Sequence, residues 1–163
     1  VSIYNLFDTN EELEKDGFTL ELVEGDTKIS FTIARAGGAN KKFTKRIQKL
    51  LKPHQLAFDR GQLDEKIQDK IFVRAISEHI VLDWDGIEDR DGNPLEFNVE
   101  NCIWLLTEIP ELRKQIYKES EDISNFIYME RVESSKNSQT STSGNSVEVP
   151  KPTKSKKQQS KEE

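Results

Sequence analysis

The sequence is poor in the residues that staple, span or catalyse. It holds a single cysteine, Cys102, which excludes an intrachain disulfide framework and any CxxC-type metal site. It has two histidines, His54 directly after Pro53 and His79 on a helical stripe, so neither arrives in a motif that would activate a nucleophile. No apolar run approaches the roughly 18 residues that span a bilayer. No basic segment followed by an apolar one opens the chain, so neither a membrane span nor a signal peptide is expected and the expected location is the cytoplasm. The only paired glycines, Gly37-Gly38, fall short of GxGxxG or GxxxxGK[ST] and read as a strand-to-helix turn. Hydrophobic residues make up 34%, which limits the core to a modest size.

What is abundant is charge, at 33% of residues, and it is unevenly placed. Residues 134–163 carry six lysines against three glutamates, with Val147 and Val149 as their only aliphatic side chains and no aromatic. Such a composition buries too little surface to offset the entropy of ordering, so a disordered tail is expected there. Residues 1–133 hold 18 basic and 27 acidic groups, a net of −9. An acidic body argues against nucleic acid as the main partner, because phosphate binding needs a basic footprint. The tail lysines read as a solvated terminus rather than an RNA grip.

The patterning implies an α+β domain, predominantly α-helical, over residues 1–133. Asp8-Thr9-Asn10 before Glu11 and Glu12 is expected to cap a short helix, with Ile3, Leu6, Phe7 and Leu13 as apolar anchors. Phe18, Leu20 and Leu22 then alternate with polar residues, as do Ile29, Phe31 and Ile33, across a Glu24-Gly25-Asp26-Thr27 turn. That is the signature of an N-terminal β-hairpin, about 18–34. Phe43, Ile47 and Leu50 share one face of a basic helix over 41–51, and a shorter helix through Phe58 ends at Gly61. The clearest stripe, Leu63, Ile67, Ile71, Phe72, Ala75, Ile76 and Ile80, predicts a helix from Leu63 to Leu82. Asn98 is placed to cap a helix holding Cys102, Leu105 and Leu106, and Pro110 to start another that fades around Arg131. Cys102 falls on an apolar helical face and reads as core.

Between the last helices lies Asp83–Asn101, DWDGIEDRDGNPLEFNVEN, dense in acidic residues and turn chemistry. Neither EF-hand register fits. With Gly92 at position 6, Ile87 and Asn98 occupy the end ligand positions; with Gly86 there, Val81 and Gly92 do. No metal ligand set, cofactor site or catalytic constellation is expected. Trp84, Ile87, Leu95 and Phe97 are spaced to pin the loop to a core, making it an ordered connector. The lysines of the 41–52 helix offer complementary charge to this loop in the same or a neighbouring subunit, a basis for self-association.

The order of these residues resembles the tail assembly chaperones of long-tailed, siphovirus-like bacteriophages. The likeness rests on Ala34–Phe43, Lys52-Pro53-His54, Val81–Asp89, Asp91–Phe97 with Glu100-Asn101, Glu108–Leu112 and Ser124-Asn125-Phe126. Its most specific part is W-x-G-[VI]-x-D-x-x-G-x-P-[LV]-x-F, carried here by Trp84, Gly86, Asp89, Gly92, Pro94 and Phe97, with Asn101 just after. The resemblance spans roughly residues 18–127. It implies a small, largely helical, non-catalytic protein of the infected host's cytoplasm that coats the hydrophobic tape-measure protein and helps tail-tube subunits polymerise around it. Such a protein is not expected in the mature virion, and its partners would include neither nucleic acid nor membrane. Members of the wider group are often made as a short and a frameshift-extended form, and the lysine-rich tail would suit the short one. The signature residues stand as partner contacts or as marks of the fold. The alternative is a structural virion protein of the tail tube or head–tail junction, with the hairpin pairing subunits.

Overall fold

Two alternating apolar strands and the glycine between them build the hairpin. In the computed structural model, which describes residues 2–127, β1 (Phe18–Glu24) and β2 (Thr27–Ile33) pair antiparallel from Phe18↔Ile33 to Glu24↔Thr27. Gly25 takes φ 59° in the two-residue turn, a conformation that costs glycine little. Phe31 and Ile33 are fully buried, and Phe18, Leu20 and Leu22 line the same face half-buried. The stretch expected as a disordered tail, 134–163, lies outside the described residues.

The sheet has a third strand that the sequence pattern conceals. The helix expected through Leu82 stops at His79, and Val81–Asp85 forms β3, paired antiparallel with β2 in the order β1-β2-β3. The opening of the acidic segment is therefore a strand and not a loop. Its register runs Ile33↔Val81 and Phe31↔Trp84, with a bulge between Thr32 and Ile33 that leaves Leu82 as the extra residue. The bulge resets the alternation, so Val81 and Trp84 both face inward although three positions apart. Period-two counting misses such a strand.

The rest is helical, which makes the domain α+β and predominantly α-helical. Before the sheet come α1 (Tyr4–Phe7) and α2 (Glu11–Asp16); Asn10 caps α2, its side chain accepting from the N–H groups of Glu12 and Leu13 at 3.0 and 3.1 Å. After β2 come α3 (Lys41–Leu51), a 3-10 turn at Lys52–His54, α4 (Gln55–Asp59) and α5 (Glu65–His79). After β3 come α6 (Val99–Glu108), α7 (Pro110–Glu121) and a 3-10 turn at Ile123–Phe126. Asn98 and Pro110 start their helices as their chemistry dictates. α5 lies at the centre, against α3, α6 and β3. Its Ala75 and Ile76, with Ile80 and Val81 beyond its end, join Phe31, Ile33, Leu106 and Ile116 in the core. Each of the Val, Leu and Ile side chains contributes about 1.5–3 kcal/mol by leaving water.

Candidate functional site: a braced loop and exposed apolar side chains

The signature residues gather where β3 leaves the sheet. Trp84, Gly86, Pro94 and Phe97 line one shallow pocket of about 390 Å³, with Ile87 and Leu95 between them. The Trp84 ring meets Phe31 edge-on at 6.3 Å and Phe97 at 5.1 Å. Its indole N–H donates to the Leu95 carbonyl at 2.7 Å, and the Leu95 N–H donates to the Ile87 carbonyl at 2.8 Å. Gly86 sits at φ 76°, where an added Cβ would stand 2.7 Å from the Lys28 carbonyl oxygen. Only glycine lets the chain turn this close to the hairpin.

The acidic tip serves its own turn. Asp89 Oδ1 accepts from the N–H groups of Asp91 and Asn93, both at 2.9 Å, and the Asp89 carboxylate also takes the Asn93 side-chain amide. These donors, the backbone N–H of Asn93 foremost, hold the Asp89 carboxyl below the usual aspartate range. Gly92, φ 81°, and the Glu88↔Pro94 bridge close the turn. Asn101 braces its other end, donating to the Glu96 carbonyl at 2.8 Å while its N–H caps onto Asn98. The seven signature residues thus belong to one segment, and their polar groups bond mostly to other residues of that segment. Among the described residues no group of three or more His, Cys, Asp or Glu converges as metal ligands would.

The other candidate groups sit apart. Cys102 is wholly buried, and burial pushes its thiol up to about 11, so the thiolate is scarce at neutral pH. Burial holds the His79 imidazole below its ordinary value despite the neighbouring Glu78. Glu78 itself takes a fork from Arg46, at 2.5 and 3.1 Å, and a bond from Arg74 at 2.8 Å.

One polar cluster was invisible in the sequence. Glu14 is 2% exposed; it pairs with Arg35 and accepts from the Thr9 hydroxyl at 2.6 Å and the Ala39 N–H. Burial raises its carboxyl, but Thr9, Ala39 and Arg35 together outweigh that and leave it below the usual range. Beside it, the buried Asn40 amide donates to the carbonyls of Arg35 and His79 at 2.8 and 2.9 Å. The residues lie on four segments, and no local periodicity flags them.

The surface also departs from expectation. Ile3, Leu6 and Phe7 do not anchor anything; with Tyr4 they are 57–78% exposed, and α1 buries no residue. On α4 Leu56 and Phe58 are 64% and 47% exposed, on different sides of the helix. Phe58 borders a groove of about 340 Å³ with Ile47, Leu51, Ile71 and Phe72. Trp104 on α6 and Ile109 just beyond it are exposed as well. Scattered apolar residues on a surface are ordinary, but adjacent large ones mark interaction sites. Among the described residues no helix is long and apolar enough to cross a membrane.

Residues 38–137, more than half of the chain, match the family described as YdaY prophage protein. No curated protein and no solved structure matches the chain.

Proposed function

The chain belongs to the YdaY prophage protein family and is of bacteriophage origin, and on that premise we propose that it is a tail assembly chaperone. In this reading it is a non-catalytic protein that binds the tape-measure protein in the host cytoplasm, helps tail-tube subunits polymerise around it, and leaves before the virion matures. The observation that carries the reading is the exposure of large apolar side chains, Leu56, Phe58, Trp104 and Ile109, on or beside helices of an acidic body. A long client helix with an apolar stripe would lay that stripe against such side chains in a helix-in-groove contact. The net −9 of residues 1–133 would keep coated clients apart by repulsion. The braced loop then holds β3 and α6 in place behind these side chains, and the signature residues act as scaffold.

Co-expression with the tape-measure protein of the same prophage tests this. The client is expected to stay soluble and to co-purify, and Trp104→Asp with Ile109→Asp to release it. A client that stays insoluble and does not co-purify overturns the reading. One observation favours a structural role in the tail tube or head–tail junction: among the described residues β1 is an edge strand, paired with β2 alone, with Val23 66% exposed, open to pairing between subunits. Finding the protein in purified virions would decide for that role.

A further inference from the structure

We infer that the junction of α5, α6 and α7 binds a carboxylate carried on an apolar stem, the side chain of a glutamate or aspartate on a partner protein. A pocket of about 250 Å³ opens there, and its charged lining is Lys66, Lys70 and Arg113 against Asp69 alone. Three positive groups and one negative make a net of +2, set in a body whose residues 1–133 carry −9. Lys66, Asp69, Lys70 and Val73 fall at i, i+3, i+4 and i+7, one stripe of α5. Thr107 comes from the end of α6, and Pro110 and Arg113 from the first turn of α7.

Arg113 is the residue that calls for an anion. Its side chain is 13% exposed, yet among the described residues its guanidinium makes one bond, to Asp69 Oδ1 at 3.5 Å. Arg46, more exposed at 23%, donates to both oxygens of Glu78 at 2.5 and 3.1 Å. A guanidinium presents its donors as a fork that fits a carboxylate in plane, and a largely covered charge is costly until it is paired. Asp69 does not fill that role: it is 63% exposed and reaches one nitrogen at the limit of a hydrogen bond. Lys66 and Lys70 form no ion pair among the described residues, where the paired lysines are Lys15, Lys28 and Lys114. The Thr107 hydroxyl already donates to the Ile103 carbonyl at 2.6 Å, so the cations alone meet the ligand.

Size and charge choose the ligand. Small-molecule clefts run from about 300 to 1,000 Å³, so this pocket takes one group rather than a nucleotide. The acidic body repels a polyanion such as nucleic acid but admits a single carboxylate. Val73 and Pro110 supply apolar wall, which a side-chain stem covers and a free inorganic anion does not. Trp104 lies three positions before Thr107, on the same side of α6, and Ile109 directly precedes Pro110; both are exposed. A partner helix with an acid beside its apolar stripe would set the carboxylate on Arg113 and the stripe against Trp104 and Ile109. This rests on the reading of those two side chains as client contacts and adds a requirement to it: the tape-measure segment gripped there carries an acid next to its apolar stripe.

NMR titration of the isotope-labelled full chain with hexanoate tests the site without the client. The backbone amides of Lys70 and Arg113 and the Arg113 Nε–H should shift saturably, and added salt should weaken the binding. Hexylammonium, with the same stem and the opposite charge, should leave these signals in place. Lys66→Glu with Lys70→Glu should weaken hexanoate binding at least about tenfold, while Lys66→Arg with Lys70→Arg should keep it. Both lysines are exposed, and thermal melts check that the variants fold. No saturable shift with hexanoate, equal shifts with hexylammonium, or tighter binding of inorganic phosphate than of hexanoate overturns the proposal. In the co-purification assay Lys66→Glu with Lys70→Glu should release the client; a variant that has lost hexanoate and keeps the client also overturns it. A wild-type chain that binds hexanoate in this pocket and retains no client supports the site and overturns the chaperone reading alone.

Discussion

The loop from Trp84 to Phe97 and the segment from Ile3 to Phe7 are both short, both rich in apolar residues, and opposite in how they are held. The loop spends its groups inward: the indole on Leu95, the Asp89 carboxylate on Asn93, and the Phe97 ring on Trp84. The N-terminal segment is held at its base, where Thr9 meets Glu14, and its large apolar side chains meet solvent. A residue order that identifies a protein need not be where it touches partners. Here the loop's groups are spent on its own packing, and the exposed large apolar side chains lie elsewhere.

Breaking the loop should cost far more than breaking the segment. Trp84→Ala should destabilise by about 4 kcal/mol, from the lost aromatic packing and the stranded Leu95 carbonyl; chemical denaturation measures it. Glu14 tests the base of the segment. Its carboxyl is depressed in the folded state, so its stabilisation is present above the ordinary glutamate value and drains away as pH falls through the lowered one. Glu14→Gln should cost about 3 kcal/mol at neutral pH by leaving Arg35 unmatched. It should also flatten the acid limb of the stability profile, the wild-type-minus-variant difference shrinking below about pH 4.5. Glu78, Asp89 and Asp122 are depressed as well, but they are common to both chains and cancel in that difference.

The two loop glycines sharpen the comparison within the loop. Gly86→Ala meets the Lys28 carbonyl and should cost about 2–3 kcal/mol, whereas Gly92→Ala has open space around it and carries only the left-handed backbone cost, about 1 kcal/mol. Equal effects would mean that the approach of β3 to the hairpin is not what requires glycine. Smallest of all, Leu6→Ser with Phe7→Ser should shift stability by no more than about 0.5 kcal/mol. A larger loss would show that α1 packs on its own chain.

Local chemistry was legible and long-range chemistry was not. The β1–β2 hairpin follows from alternation and a Gly-Asp turn, and the helix starts follow from Asn10, Asn98 and Pro110. The loop's order followed from Trp84, Leu95 and Phe97, but its bracing by Asp89 and Asn101 needed the bonds themselves. β3 escaped because Leu82 is a bulge residue and breaks the period by which strands are recognised. The helix through Leu63–Leu82 was overextended for the same reason, since Ile80 and Val81 continue an apolar stripe that belongs partly to a strand. Glu14 was unreadable because its partners Arg35 and Ala39 are 21 and 25 positions away. Ile3, Leu6 and Phe7 misled in the other direction: apolar spacing says which side chains seek cover, not whether the same chain supplies it.

Asn40 carries a consequence for how this chain tolerates change. Its one amide bonds the carbonyls of Arg35 and His79, the latter 39 positions away, and the Ala34 N–H donates to the Ile80 carbonyl at 2.8 Å, so the chain leaves the sheet after β2 and returns to it for β3 through one clasped junction. Everything between, from α3 through α5, is a cassette spliced between two neighbouring strands. Loop-closure entropy grows only with the logarithm of length, about 0.6 kcal/mol per doubling. The exposed Arg60–Gln62 corner of that cassette is therefore the place where the chain can gain residues, and the clasp would hold the sheet in register while it did.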